Sequence, residues 1–505
     1  MTSTLSTAGV ADAEAALAGH APELVPGFLA ALPEAADVVG RRLRGALVRE
    51  GIRDLGAGRD HGFGRVEYPS AGAADPVELL GGIDAPGFAA ELRNAVVNLA
   101  VAMARPAPPV ADDPDARAIG LERLAVAGHN LHPCGRTRLG WDTADVLAHD
   151  LEAEHTRLGF VAVRDDLHLG DDVCPEVPAP PGYRVQPVHA WQRDTVLPDR
   201  YRDLLADGSL RILDHEIDAV PTAALRTLLL PAAADGTRQY LKVSLDIQVT
   251  STRRSISVAS TRNGPAVSAL LHRLVADDPD GHRLLLLAET AGAAVPVGSG
   301  RDLSAIRRTG LTGRLHPGEQ AVPGGALPLL LGELVPGDAG GWLRAYAELV
   351  VPPLMRLVAR GVAVEAHLQN CLPTFVDGWP HRLALRDFAG LRLHPPRLVA
   401  AGHRLALWPG SVIATGDLGL VRAKIGYTLF QAHLGELVLR LGESHGLDEA
   451  YAWRIVREVL DACCSGADHA AFTAPLVPHK ALVRMRLAGH GDLYVPVRNP
   501  LHAPA

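Results

Sequence analysis

Residues 365–370 read Glu-Ala-His-Leu-Gln-Asn, and Arg386-Asp387 follow after a short interval. The stretch lies between a long amphipathic segment, Trp342–Arg360, and a strand-like run, Arg382–Phe388. Helical and strand periods therefore alternate around it. We predict that this part of the chain places one set of polar side chains between a helix and a sheet.

The polar residues of this stretch favour a nucleotide and metal site. Asn370 and Asp387 offer oxygen atoms of the kind that Mg²⁺ prefers, and their order is similar to the metal-holding pair of phosphotransferases. His367 and Gln369 are placed to contact a phosphate or nucleotide. A polar network that merely joins helix to strand is the alternative. We rank that alternative second, because so many hydrogen-bonding groups in so short a space require a purpose.

A second cluster lies upstream, where Gln239–Thr250 alternates polar and apolar residues and predicts a half-buried strand. Lys242 and Thr250 are eight residues apart and would share one face of that strand. Arg254 follows it and Arg226-Thr227 precedes it. A lysine acts as a point charge and an arginine as a fork, so the cluster could bind a triphosphate. A solvated basic strand face is the more common alternative.

Two further basic clusters are less specific. Residues 128–140, GHNLHPCGRTRLG, contain His129, His132 and Arg138, which could converge on a carboxylate or phosphate. An exposed basic loop is an equal alternative there. Lys480 is one of only three lysines among 49 basic residues. Its spacing to Arg484 fits one face of a helix, and its spacing to Arg484 and Arg486 also fits one face of a strand. A solvated face is at least as good an interpretation of that cluster.

Composition limits the class of protein. A net charge of −8 argues against nucleic-acid binding, which needs a basic surface. The first forty residues contain no lysine or arginine, and no apolar run is long enough for a membrane span, so we expect a cytoplasmic protein that does not bind membranes. Five cysteines without a zinc-ligand spacing are expected to be reduced thiols.

The pattern of periods predicts an α+β fold in three lobes. Residues 1–115 are expected to form a helical N-terminal lobe, 116–340 a β-rich lobe and 341–505 a mixed C-terminal lobe. The first boundary is placed in the proline- and aspartate-rich segment Pro106–Asp115.

Together, the motifs resemble the NRPS-independent siderophore synthetases, the aerobactin-synthetase-like family, over residues 120 to the C-terminus. The family's Glu-Ala-His-x-Gln-Asn signature is complete at 365–370. Its His-Pro-x-His-Pro loop corresponds to 128–138, and its Ser-x-Arg-Thr segment to 224–227. Its Lys, Thr and Arg occur at the spacing of 242, 250 and 254. The stretch around 480–487 is similar to the family's ferric-reductase-like region.

The resemblance implies a cupped hand of thumb, fingers and palm, and the adenylation of a carboxylate by ATP before an amine or alcohol attacks. It places nucleotide and Mg²⁺ at a set of middle and C-terminal residues: Arg226, Thr227, Lys242, Thr250, Arg254, His367, Gln369, Asn370 and Asp387. It places a citrate-like or succinyl-type acid at His129, His132, Arg138 and Lys480. Among these residues His132, Lys242, Arg254 and His367 are expected to be catalytic, and a homodimer is implied.

Departures from the family pattern leave alternatives open. Ala224 stands where the family has a serine that helps to hold phosphate, Asn130 replaces a proline and Arg136 replaces a lysine. A kinase-like phosphotransferase would share the Asn/Asp pair, but no His-Arg-Asp-type catalytic loop is evident. A non-catalytic siderophore-binding protein is the other alternative, and Ala224 is its best support.

Overall fold

The computed structural model describes residues 7–106, 111–250, 252–489 and 491–502. Residues 107–110, within the predicted Pro106–Asp115 boundary, lie outside this set. Within the described ranges, no helix is both long and apolar enough to cross a membrane.

Helices form the N-terminal region and most of the C-terminal half. Their bounds are α1 (Thr7–His20), α2 (Val25–Arg49), α3 (Pro86–Ala104), α4 (Pro114–Glu122), α5 (Thr143–His149), α6 (Leu197–Arg200), α7 (Arg202–Ala206), α8 (Val258–Ala276), α9 (Leu327–Leu334), α10 (Ala339–Ala359), α11 (Pro395–Ala400), α12 (Leu418–Ile425), α13 (Gly435–His445), α14 (Glu449–Cys463), α15 (Gly466–Phe472) and α16 (Leu482–Ala488). A wide-turn helical segment, Gly426–Leu434, joins α12 to α13 without a break.

Most of the strands lie between residues 156 and 321. Their bounds are β1 (Arg59–Asp60), β2 (Val66–Glu67), β3 (Thr156–Arg164), β4 (Leu169–Gly170), β5 (Tyr183–His189), β6 (Leu210–Pro221), β7 (Thr227–Leu229), β8 (Gln239–Val243), β9 (Leu245–Val249), β10 (Thr252–Arg254), β11 (Leu284–Leu286), β12 (Glu289–Ala294), β13 (Ser304–Thr309), β14 (Gln320–Ala321), β15 (Val362–Ala363), β16 (Cys371–Val376), β17 (Trp379–Leu385), β18 (Arg392–Leu393), β19 (Leu476–Lys480) and β20 (Tyr494–Arg498).

Two sheets position the candidate site. The larger has eight strands in the order β4-β12-β13-β8-β7-β6-β3-β5, and its pairings are antiparallel. The smaller has the order β11-β17-β16-β14, and β11 lies parallel to β17. Helix α10 packs its apolar face on the smaller sheet through Trp342 and Tyr346, which are fully buried. The predicted helix and strand on either side of residues 365–370 are therefore both present.

A separate core ties the N-terminal helices to the middle of the chain. Helices α2 and α3 contribute Leu43 and Leu92, which share this core with Ile247 of β9 and Val483 of α16. The N-terminal helices thus cover the hairpin β9–β10 and the C-terminal helix α16, so that residues remote in sequence meet at one place.

The prediction of a single strand over Gln239–Thr250 is wrong. Strand β8 ends at Val243, and Ser244 turns the chain so that β9 leaves the large sheet and pairs with β10. Ser244 is held at this corner because its N–H donates to the Ser304 carbonyl and its hydroxyl accepts from the Ile256 N–H. Lys242 and Thr250 consequently do not share a strand face.

Candidate active site

The loop 128–138 folds into a compact turn that presents two neutral imidazoles. Nδ1 of His129 accepts the Leu131 N–H at 3.1 Å, and Nδ1 of His132 accepts the Cys134 N–H at 3.0 Å. A neutral ring of this tautomer carries its proton on Nε2. Burial lowers the pKa of His129 well below its usual value and that of His132 to about 3. Both rings therefore stay uncharged near neutral pH and carry their proton on Nε2.

Arg138 is held by a carboxylate behind the loop, and its predicted role at the acid stays a prediction. Its Nε and Nη2 donate to the two carboxylate oxygens of Asp150 at 2.8 and 3.1 Å, and Nη1 donates to the Thr137 carbonyl. Arg136 is likewise held by Glu152. The guanidinium of Arg138 is thus paired with Asp150 and helps to fix the loop.

Lys242 on β8 of the large sheet and Asp387, which follows β17 of the smaller sheet, form an ion pair of 2.7 Å. Burial lowers the pKa of Lys242, and Asp387 partly offsets this. Burial alone would raise the pKa of Asp387, but Lys242 and Arg308 hold it well below its usual range. Asp387 has a positive φ of 62°, a backbone conformation uncommon outside glycine that is frequent at functional sites.

Unsatisfied polar atoms surround this pair. Thr227, opposite Lys242 on β7, has a buried hydroxyl without a hydrogen bond to any described residue. Glu289 is 2% exposed, and neither of its carboxylate oxygens has such a partner. The backbone N–H of Phe388 is close enough to lower the pKa of this carboxylate, but it does not form a hydrogen bond of ordinary geometry with it. Buried polar groups normally find partners, so these atoms are suited to a ligand.

The nucleotide cluster predicted from residues 226–254 is held together by the hairpin. Nη1 of Arg226 donates to the carbonyls of Arg254 and Ser255, both at 2.8 Å. Thr250 has a φ of 53° and its hydroxyl accepts from Nη2 of Arg254 at 3.2 Å. Burial lowers the pKa of Arg254 to about 9, and the nearby positive charge of Arg226 adds to the effect.

Residues 365–370, between β15 and β16, form another part of the site. Glu365 accepts from Nζ of Lys424 at 2.6 Å, and the carbonyl of Gln369 accepts from Arg386 at 2.8 and 3.0 Å. His433 lies beneath, hydrogen-bonded to the Ala366 carbonyl, and so supports the backbone next to His367. The side-chain amide of Asn370 makes no hydrogen bond to the described residues, although the residue is buried.

A cavity of about 860 Å³ is lined by residues of the loop 128–138, of the β9–β10 hairpin and of the segment 365–370. Eight of the predicted site residues line it, namely His129, His132, Arg138, Thr250, Arg254, His367, Gln369 and Lys480. The other five, Arg226, Thr227, Lys242, Asn370 and Asp387, are not among the lining residues and lie around the Lys242–Asp387 pair behind it.

The cavity wall is rich in cations, but most of them are neutralised. It carries nine arginine and lysine side chains: Arg42, Arg136, Arg138, Arg254, Arg386, Lys424, Arg440, Lys480 and Arg486. Seven of these form ion pairs with carboxylates, and among the described residues Arg42 and Arg254 have no such partner. An anionic ligand would complete both.

Lys480 lines the cavity, but it does not lie on the same element as the arginines predicted to accompany it. It ends strand β19 and pairs with Asp492 at 2.7 Å, whereas Arg484 and Arg486 lie on helix α16. Arg484 instead donates to the carbonyls of Glu50 and Gly51. The three residues therefore share neither one helix nor one strand.

Sequence reasoning missed Arg42, Lys424, Glu289 and Arg308. Lys424 had a usable signal in the sequence, since it is one of only three lysines in the chain. Like the other two, it pairs with a carboxylate in the structure. Arg42 and Glu289 had none, because nothing in their local sequence distinguishes them from surface residues.

Comparison with known proteins identifies this architecture. The model of the IucA / IucC family matches residues 117–328, and that of the ferric iron reductase FhuF-like transporter matches 341–495. D-ornithine–citrate ligase of Staphylococcus aureus is 24% identical over 462 residues, 75% of this chain and 70% of that protein. The two matched regions confirm the resemblance to the siderophore synthetases that the motifs indicated.

Solved structures support the same fold. The petrobactin biosynthesis protein AsbB of Bacillus anthracis has a TM-score of 0.80 at 21% identity, covering 95% of this chain and 98% of that one. ATP-bound aerobactin synthetase IucA of Klebsiella pneumoniae has a TM-score of 0.72 at 18% identity, covering 92% and 99%. The predicted α+β fold is confirmed, and so is the prediction of an acid–amine ligase of siderophore biosynthesis. The three lobe boundaries stay a prediction.

Proposed function

We propose that this siderophore synthetase adenylates one carboxylate of a citrate-like polycarboxylic acid with ATP and transfers the acyl group to an amine or amino-alcohol. The observation that carries the proposal is the shared cavity, in which an unneutralised arginine, Arg254, faces the same space as two neutral histidines, His129 and His132. The carboxylate of the acid and the triphosphate of ATP are both anions, and they must be held together for the carboxylate to attack phosphorus. The positive charge of Arg254 in the cavity wall offsets their repulsion.

The proposed first step joins acid to nucleotide. A carboxylate oxygen attacks the α-phosphorus, a P–O bond forms, and the bond to the β-phosphate oxygen breaks to release pyrophosphate. Lys242 and Arg254 stabilise the negative charge that builds on the leaving group. Arg226, Thr227, Thr250, His367 and Gln369 complete the nucleotide side. The carboxylate needs no base, being ionised at neutral pH.

The second step uses the acyl-adenylate. The amine nitrogen attacks the acyl carbon, the bond to AMP breaks, and the proton lost from the amine leaves to solvent. His129, His132 and Lys480 hold the acid in place during both steps, with each neutral imidazole donating a hydrogen bond from Nε2.

A divalent cation fits the residues present. Asp387 is ionised, the carbonyl of Asn370 accepts from the N–H of the adjacent Arg386, and the carboxylate oxygens of Glu289 make no hydrogen bond to the described residues. Side-chain oxygens of these residue types are typical ligands of Mg²⁺. We propose that Asp387 and Asn370 hold Mg²⁺, with the carboxyl group of Glu289 nearby, whose pKa is raised by burial and by Asp387. The ion would neutralise charge on the phosphates.

Product analysis tests the proposal. The protein is incubated with Mg·ATP, hydroxylamine and either citrate or succinate, and the nucleotides and hydroxamate are then resolved. Acid-dependent AMP, pyrophosphate and hydroxamate are expected. ADP without AMP would instead favour the kinase-like alternative. No product and no thermal stabilisation by Mg·ATP would favour the non-catalytic siderophore binder. A homodimer, expected from the family resemblance, stays a prediction that light scattering can check.

A further inference from the structure

Helix α2 contributes a cation to the cavity for which the mechanism has no use. Arg42 lies on α2 and is partly accessible from the cavity. It and Arg254 are the two lining cations without a carboxylate partner among the described residues. Arg254 belongs to the nucleotide cluster, so its counter-ion is the triphosphate. Arg42 still needs one.

The surroundings of Arg42 make an intramolecular partner unavailable. Its Nη1 donates to the Ala127 carbonyl at 2.6 Å, which fixes the guanidinium beside the loop that carries the histidines. Glu436 is the carboxylate that acts on it most strongly. That carboxylate already accepts from Arg65 at 2.5 Å, Arg440 at 2.9 Å and Asn130 at 3.0 Å.

Charge and position point to the acid rather than the nucleotide. Burial lowers the pKa of Arg42 to about 10, and Glu436 offsets this effect only in part. Its charge acts on His129 and His132, whereas that of Arg254 acts on His132 from the nucleotide side. An acid bound at His132 is therefore within electrostatic reach of both guanidiniums.

We propose that Arg42 binds a second, non-reacting carboxylate of the acid and thereby restricts the substrate to acids with at least two carboxylates. The inference rests on the proposed function. Arginine suits the task, because its planar fork matches a carboxylate with two parallel hydrogen bonds. One carboxylate is then presented to ATP near Arg254 while another is held by the N-terminal lobe.

Steady-state kinetics and calorimetry with citrate test the proposal on the full chain. In Arg42→Ala, KM for citrate and Kd for citrate without ATP should each rise about 10- to 100-fold, the value of a charge-assisted hydrogen bond. KM for ATP should change less than about twofold. Arg42→Lys should lie between, and millimolar guanidinium should partly restore citrate binding to Arg42→Ala.

Arg41→Ala is the matched control, because Arg41 is the neighbouring residue, is 42% exposed and pairs with Asp37. It should leave citrate binding unchanged. An Arg42→Ala protein with the citrate Kd of the wild type overturns the inference, as does an equal rise in KM for ATP. A wild type that binds citrate but releases no pyrophosphate would contradict the proposed function instead, and the calorimetric comparison would still decide the role of Arg42.

Discussion

Replacing Arg254 by methionine should stabilise the ligand-free protein while it removes the response to nucleotide. The guanidinium is largely buried without a carboxylate partner among the described residues, and burial lowers its pKa from the ordinary value of arginine to about 9. That difference corresponds to about 5 kcal/mol. The side chain remains partly accessible, so solvent screens much of this cost, and we expect a net gain of about 1–3 kcal/mol.

Thermal unfolding with and without Mg·ATP measures both effects. At about 2.1 cal/mol/K per residue, unfolding a 505-residue chain has an entropy of about 1 kcal/mol/K, so Tm should rise by about 1–3 °C. Mg·ATP at 100 times its Kd should stabilise the wild type by about 2.7 kcal/mol and raise its Tm similarly. The variant should lose most of that shift.

Arg253→Met provides the control, because Arg253 is the preceding residue, is 64% exposed and pairs with Asp246. It should keep the Tm of the wild type to within about 1 °C and the full nucleotide shift. A less stable Arg254→Met protein, or one that Mg·ATP still stabilises as well as the wild type, would refute the idea that Arg254 is held without a partner for the triphosphate.

The remaining predictions concern single side chains and pH. Ala224→Ser should tighten ATP binding by about 0.5–1.5 kcal/mol in calorimetry, and an unchanged Kd would mean that the position no longer faces phosphate. His132→Ala should raise KM for the acid or lower kcat with it, whereas Arg254→Ala should impair ATP use with every acid tested; the same ATP defect in both would contradict the division of roles. Burial lowers the pKa of His189 to about 3 and of His433 to about 4. The unfolded chain binds protons below about pH 6.5 while these folded groups stay neutral, so stability is complete above that pH and falls below it, by about 2 kcal/mol per histidine at pH 5. Urea unfolding at pH 7.5 and 5 checks this, and equal midpoints would contradict it.

The sequence predicted the elements whose period is regular and missed a corner that depends on a distant partner. Alternating residues predicted strand character over Gln239–Thr250, and both β8 and β9 are strands. The break at Ser244 follows from its bonds to Ser304 and Ile256, which are tertiary contacts without a local signature. Periodicity reports which residues are buried, and it does not report with which strand they pair.

The candidate site shows the same division. Short motifs predicted that His129, His367 and Arg254 are functional, and all three line one cavity. Arg138 appeared equally functional in sequence, and its neutralisation by Asp150 depends on a residue outside the motif. Arg42 lies 85 residues from the carbonyl that it contacts, so only the packing of α2 brings it into the site.

The Lys242–Asp387 ion pair explains why phosphates and cation should enter this site together. In the ligand-free protein each residue satisfies the other, and the side chain of Lys242 is only 4% exposed. A triphosphate without a cation would draw Lys242 away and leave Asp387 without its main partner. A cation without phosphates would take Asp387 and leave the buried ammonium unpaired beside Arg308 and Arg226. Breaking a sealed pair in this way costs about 3–5 kcal/mol, and somewhat less here because Asp387 is 26% exposed. When both ligands bind together, Lys242 pairs with the triphosphate and Asp387 pairs with the cation, so neither charge is left without a partner. The proposed ligand is therefore the metal–nucleotide complex.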